Sequence, residues 1–322
     1  MTAINDEVML SIIVPVYNHG KYIAEALDSI IMQKTGYSYE VLVGDDCSTD
    51  SSRDILREYE KKYPEIFTMY YRTENLFRKE GSVGNVQDLR LRSKGRYLIT
   101  LEGDDYWTDP DKIEKQIDFL EKHPEYLACT HSCNVVDENS NIKDEEYPGC
   151  SDSEYTLKHY ASGILPGQLA TIMMRNIFID NRADVSLLSK RLSPGDRLLA
   201  FILVTNGRVH CSPEKMSAYR HITNGGSSFS ANFEFEYEPF KKWHTELVNY
   251  AKNRSKQALK YANLLYCRNI LRGIRYKKIG VKAGLADFFK NVSYKWAVSA
   301  LLIKEFFNTA VLKKKLGKDI IV

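Results

Sequence analysis

Arg96-Tyr97-Leu98-Ile99-Thr100-Leu101-Glu102-Gly103-Asp104-Asp105-Tyr106-Trp107 is an apolar run that empties into three acids. Tyr97 to Leu101 has the length and composition of a strand covered on both faces, the kind found in parallel sheets. Carboxylates at the end of a buried strand are costly unless something cationic answers them. A divalent cation carrying a phosphate-bearing ligand would do so. In open α/β sheets, ligands collect beyond the carboxyl ends of the strands.

Upstream, Leu10–Val16 is a β-branched run with Pro15 near its end, where a lost ladder donor is tolerable. Ile23, Ala26, Leu27, Ile30 and Ile31 then repeat at helical spacing. Glu40–Gly44 reads as a second strand running into Asp45-Asp46-Cys47-Ser48-Thr49-Asp50, a turn rich in helix-capping residues. Ile66–Tyr71 is a third strand and Gly81–Leu91 a weakly patterned helix. Asp109 and Pro110 open a helix with Ile113, Ile117 and Leu120 on its buried side. Strands alternating with helices predict an α/β fold with an open, mostly parallel twisted sheet flanked by helices.

Downstream, Tyr126–His131 and Gln168–Met174 read as further strands. Arg208–Cys211 and Met216–Arg220 read as two short extended pieces, and Gly225–Ser228 as a flexible loop. From Phe235 onward the pattern is helical. The chain therefore divides into 1–234, with halves at about 9–107 and 108–234, and a helical extension at 235–322.

At 322 residues and 43% hydrophobic content the chain can bury a sizeable core. Residues 241–322 hold 19 Lys and Arg against 4 acids, a net of +15, so the +3 total leaves residues 1–240 at −12. An acidic body without a nucleic-acid-binding module argues against nucleic acid as partner. In the basic tail, Trp296, Leu301, Leu302, Ile303, Phe306 and Phe307 sit among Lys295, Lys304 and Lys313–Lys315. That mixture suits an anionic membrane face as well as a solvated helical surface. The six cysteines form no CxxC pair, and no secretory signal is visible, which points to the cytoplasm, with peripheral attachment to the inner membrane face as an option.

Ser11-Ile-Ile-Val-Pro-Val-Tyr-Asn18, Asp45-Asp46-Cys-Ser-Thr-Asp50 and Gly95–Trp107 together resemble the family-2 glycosyltransferases, over roughly residues 9–230. The resemblance implies a GT-A-like fold, an inverting transfer from a nucleotide sugar, a UDP-sugar above all, and a polysaccharide or glycolipid hydroxyl as acceptor. It implies that Pro15, Tyr17, Asn18, Asp45 and Asp46 hold the nucleoside, and that Glu102 and Asp104 meet the donor. Glu102 stands where the family usually has Asp. Asp104 and Asp105, unranked, would hold Mn²⁺ or Mg²⁺. Asp196 would be the catalytic base, although it follows Pro194-Gly195 where the family commonly has Glu; Asp184 is its rival. Arg220 and His221 would clasp the phosphates, and Gly163–Gln168 would line the acceptor side. Two other classes fit the residues less fully: a nucleotidyltransferase, for which Tyr17–Lys21 is a poor triphosphate loop, and a non-catalytic assembly subunit.

Overall fold

The structure, a computed structural model, describes residues 8–79, 82, 84–190, 192, 194–222 and 235–303. The expected loop at Gly225–Ser228, together with Lys304, Phe306, Phe307 and Lys313–Lys315, lies outside the described residues. Two compact units emerge. One comprises the chain up to Tyr155 with the described residues of 165–190 and 195–222; the other comprises 156–164 and the chain from 235.

The first unit is built on a nine-stranded sheet: β1 (Leu10–Val16), β2 (Tyr39–Asp45), β3 (Phe67–Tyr71), β4 (Tyr97–Thr100), β5 (Tyr106–Trp107), β6 (Tyr126–Val136), β7 (Glu154–Tyr155), β8 (Met173–Arg175) and β9 (Arg208–Arg220). Its order is β3-β2-β1-β4-β8-β6-β9-β5, with β7 beside β9. β1, β2, β3 and β4 are mutually parallel, β8 is antiparallel to β4 and β6, and β6 runs parallel with β9. The mostly parallel sheet is therefore present.

β1 is central because nearly every residue in it is apolar and buried, which only a strand covered on both faces can use. Pro15 has its neighbour on the β2 side at Gly44, while the pairing with β4 stops at Ile13 and Thr100, so its missing N–H breaks no ladder there. Around this sheet lie α1 (Ile23–Ile31), α2 (Ser52–Lys62), α3 (Asn85–Arg92), α4 (Lys112–Lys122) and α6 (Gly195–Asn206), while α5 (Leu157–Ala161), α7 (Tyr237–Lys252), α8 (Lys256–Arg275) and α9 (Val281–Asn291) belong to the helical unit. Ile23, Leu27 and Ile30 from α1 and Ile113, Ile117 and Leu120 from α4 join the β1 and β4 side chains in one core. Each such aliphatic side chain contributes about 1.5–3 kcal/mol on burial.

Three local expectations change. Gln168–Met174 is not one strand: Leu169–Thr171 is a 3-10 turn, and β8 follows it. The two extended pieces after Arg208 are one strand, β9, whose partner β6 shifts register around Ser132. α4 starts at Lys112, because Asp109 turns its carboxylate to the Asp111 N–H, 2.9 Å away, in a tight turn ahead of the helix.

Lys112 is fully buried, with Nζ donating to Gln116 Oε1 at 2.6 Å and lying 4.3 Å from the Trp107 ring centroid. Burial without a carboxylate partner pushes its pKa down to about 7 from 10.5. The folded state therefore holds fewer protons than the unfolded chain between those values. The Lys112 contribution to stability rises with pH across that window, its cost being complete below about 7 and gone above 10.5. Lys112→Met should remove that slope, about 1 kcal/mol per pH unit. Urea unfolding of both forms from about pH 7 to about pH 9 measures the difference, and parallel curves would show that Lys112 is not charged at a cost.

Candidate active site

The carboxyl ends of β1, β2 and β4 meet at one edge of the sheet, where the order reverses from β1 to β4. β1 delivers Pro15, Tyr17 and Asn18; β2 delivers Asp45 and Asp46; β4 delivers Glu102, Asp104 and Asp105. Gly103 makes the exit from β4 tight. Its N–H donates to Pro15 O at 3.2 Å, and a Cβ there would lie 2.7 Å from His19 Nδ1. Asn18 takes a left-handed backbone (φ 56°), which asparagine tolerates, and its Oδ1 accepts the Thr49 N–H at 2.8 Å. The β1 exit and the Asp45-Asp46 turn are thereby tied together.

The two acids of that turn are internally engaged. Asp45 is fully buried and paired with Arg53 at 2.5 Å. Asp46 accepts the backbone N–H groups of Leu76 (2.6 Å) and Phe77 (3.1 Å), fixing the loop after β3. Tyr17 is half-buried and Asn18 exposed, so these are the residues of the group that face outward.

Asp104 and Asp105 part company. Asp105 is buried, its Oδ1 accepting the Arg220 backbone N–H at 2.7 Å and its Oδ2 the Gln168 side-chain amide at 2.5 Å. Both oxygens tie β9 and the 3-10 turn to the end of β4. Asp104 is only half-buried. Arg220, expected as a phosphate clasp, is used otherwise. Its Nε donates to Asp104 O (2.8 Å), and its other two nitrogens donate to Asp137 O (2.9 Å), Ser140 Oγ (3.1 Å) and Glu25 Oε2 (2.5 Å). The guanidinium also lies 4.4 Å from the Tyr22 ring centroid. Clasping a phosphate would require breaking these bonds. His221 has Nδ1 2.7 Å from Glu145 Oε2 and stacks along Tyr219.

Asp196 begins α6 and turns Oδ1 to the next N–H, Arg197, at 2.7 Å. Burial raises its pKa above the ordinary carboxylate range. Its charge is felt at Glu102, whose carboxyl is pushed up to about 8 by burial and then by the carboxylates of Asp104 and Asp196, against Arg90 and the Gln168 hydrogen bond. The half-buried Glu102 thus feels the charges of both Asp104 and Asp196. Asp184 is exposed and holds the Ser186 N–H instead. Among the described residues, no three His, Cys, Asp or Glu side chains form a metal cage by themselves.

Several residues of this region escaped the sequence reading. Tyr147 and Tyr219 pack edge to face at 5.3 Å, and both phenols are pushed up, by burial first and then by charges that include Asp196 and Glu102 for Tyr147 and Asp105 and Glu102 for Tyr219. Arg90 on α3 is buried with its Nε unpartnered, and Glu102 partly offsets the burial that lowers its pKa to about 10. A cavity of about 230 Å³ beside Tyr147 is lined by Ser132, Cys133, Glu146, Gly167 and Lys215 among others. Gln168 closes the stretch expected to line the acceptor side. Its side-chain amide donates to Glu102 (3.1 Å) and to Asp105, bridging the two acids.

The chain has relatives among known proteins. The sequence profile described as glycosyl transferase family 2 matches residues 11–180, more than half of the chain. The chain belongs to that family. This family-2 chain is 28% identical over 262 residues to the putative teichuronic acid biosynthesis glycosyltransferase TuaG of Bacillus subtilis, covering 78% of the chain and 98% of TuaG. It is 32% identical over 216 residues to the Mycobacterium bovis protein Mb1547, covering 67% of the chain; the chain spans 60% of that relative's length. Among solved structures, Staphylococcus aureus TarS 1–349 in complex with UDP-GlcNAc superposes with a TM-score of 0.65 at 19% identity, covering 91% of this chain and 83% of TarS 1–349. That likeness fixes the fold as the open sheet with flanking helices described above.

Proposed function

We propose that this chain is an inverting glycosyltransferase that moves a sugar from a nucleotide sugar to a hydroxyl of a polysaccharide or glycolipid. The observation that carries the reading is the run of acids Glu102, Asp104 and Asp105 leaving β4 beside the ends of β1 and β2, with the charge of Asp196 acting on Glu102, in a family-2 chain. Tyr17 and Asn18 face the nucleoside, and the Asp45 and Asp46 carboxylates hold the walls on which they stand. A UDP-sugar is the first donor to test, since TarS was solved with UDP-GlcNAc.

The oxygen-only donor set at the β4 exit fits Mg²⁺ or Mn²⁺, with Asp104 the side chain to hold it, and the rise at Glu102, to which Asp104 contributes, is what a cation would relieve. Such an ion, when bound, neutralises charge on the departing diphosphate. Asp105 keeps the loop closed through Arg220 and Gln168. Asp196 takes the proton of the acceptor hydroxyl as its oxygen bonds to the anomeric carbon, on the face opposite the leaving nucleoside diphosphate. One displacement inverts that centre, without a covalent enzyme intermediate. Glu102, beside Asp104 at the end of β4, meets the ribose of the donor. His221 would meet the donor on its phosphate side.

The cysteine usage, without a CxxC pair, fits a reducing compartment such as the cytoplasm. The basic residues of 241–322 are those that would meet an anionic membrane surface beside a lipid-linked acceptor. Among the described residues, no helix is long and apolar enough to cross a membrane.

A thermal-shift and turnover screen of UDP-, GDP- and dTDP-sugars with and without Mn²⁺ tests the reading. One donor should stabilise the protein, and more so with the ion: saturation at about 100 times Kd corresponds to about 2.7 kcal/mol. Failure of every donor to shift the melting point or to turn over would refute it.

A further inference from the structure

The helical unit turns a stripe of large apolar side chains outward. On α9, Val281, Leu285 and Phe289 fall four residues apart, on one side of the helix, at 60%, 52% and 63% exposure. The same helix buries Gly284 and Asp287 instead. The reason is local: the Asp287 carboxylate is held by the hydroxyls of Tyr237 and Tyr266, by Asn291, and by Lys241 at 3.1 Å. Anchoring the acid inward rotates the apolar stripe outward. The chain then continues into a helical segment at 295–303, on which Trp296 is 91% exposed and Ile303 is exposed as well. Leu285 also lines an almost wholly apolar hollow of about 230 Å³ with Ile270, Ile274, Phe288 and Leu302.

The charge around the stripe has one sign. Residues 271–303 carry seven Lys and Arg and a single acid, Asp287, which is the one turned inward. Lys282 and Lys290 are exposed on α9 itself, and Lys295 precedes Trp296.

We propose that the outward face of α9 and of 295–303 is a docking surface for an anionic lipid bilayer, lying in its interface with Leu285, Phe289 and Trp296 inserted. Apolar and aromatic side chains ringed by lysines are what an interfacial helix presents to such a surface. A second copy of the chain fits less well: a self-complementary contact would bring Lys282, Lys290 and Lys295 against one another, and the cores of protein interfaces are depleted in lysine. Residues 304–322 are themselves net basic, with five Lys against Glu305 and Asp319, so their charge does not complement the patch. The inference adds to the transferase reading the surface at which the chain would work, and its test uses no transferase activity.

The full chain is mixed with extruded vesicles of phosphatidylglycerol and phosphatidylcholine, and with vesicles of phosphatidylcholine alone. Trp107 and Trp243 are buried at 1% and 3% exposure, so a blue shift of tryptophan emission on binding reports Trp296. We expect co-sedimentation with the anionic vesicles accompanied by that shift. Partition should fall by about tenfold or more in Leu285→Asp/Phe289→Asp, and likewise in Lys282→Glu/Lys290→Glu/Lys295→Glu. Trp296→Phe should abolish the shift while binding persists. These side chains are exposed, Lys295 in part, so the variants should melt with the parent, and the melting curves are recorded alongside. The proposal is overturned by absence of binding to anionic vesicles, by variants that bind like the parent, which would move the contact to another segment, or by a dimer in sedimentation that Leu285→Asp/Phe289→Asp dissolves.

Discussion

Asp196→Asn should lower the rate of sugar transfer by roughly 10²–10⁴-fold while leaving nucleotide affinity within a factor of about three. Asparagine is isosteric and keeps an oxygen to accept the Arg197 N–H, so the start of α6 survives the change. What is lost is the basic lone pair. Burial raises the Asp196 carboxyl above the ordinary carboxylate range, which makes it a better proton acceptor than a solvated aspartate. The same rise sets the pH dependence: transfer should fall on the acid side through a pKa above that of a solvated aspartate, and Asp196→Asn should lose that limb. Single-turnover transfer measured beside nucleotide binding separates the roles. A variant within about tenfold of the parent in rate would reduce Asp196 to a helix-start residue and reopen the search for the base.

The sheet was legible because parallel strands leave a plain mark. Leu10–Val16, Glu40–Gly44 and Tyr97–Thr100 are largely apolar runs, and each ends in the polar residues that a crevice at the carboxyl edge requires. What could not be read was the use to which each polar residue is put. Asp104 and Asp105 are chemically identical in sequence, and only the positions of Arg220 and Gln168, 115 and 63 residues away, decide that Asp105 is tied while Asp104 stays accessible. β9 was read as two pieces because Ser212-Pro213-Glu214-Lys215 interrupts its apolar pattern. In the fold these residues lie where β6 shifts register and face outward, so the strand continues without needing apolar side chains there. α9 inverts the usual rule. Its apolar stripe reads as a buried face, yet the tyrosines that capture Asp287 come from α7 and α8, and no local pattern announces them.

Arg220→Ala should destabilise the protein by about 3–5 kcal/mol. The side chain is 1% exposed and supplies donors to two backbone carbonyls, a serine hydroxyl and the Glu25 carboxylate. Alanine would leave a cavity against Tyr22 and acceptors without donors, each buried one costing about 1–3 kcal/mol. The half-exposed Glu25 can recover water, which keeps the total from reaching the sum. Arg220→Lys should restore little, because one ammonium cannot replace a planar fork that reaches Asp104 O, Asp137 O and Glu25 at once. The backbone N–H at 220 still bonds Asp105 in either variant, so the damage centres on the loop carrying Asp137 and Ser140 and on the carbonyl of Asp104. Donor affinity should then weaken through displacement of Asp104, and in proportion to lost stability. Urea unfolding and donor KM measured on the same variants test the assignment. Stability within about 1 kcal/mol of the parent, with a KM raised tenfold or more, would return Arg220 to the role of phosphate clasp, since a residue that only binds ligand leaves the empty fold intact.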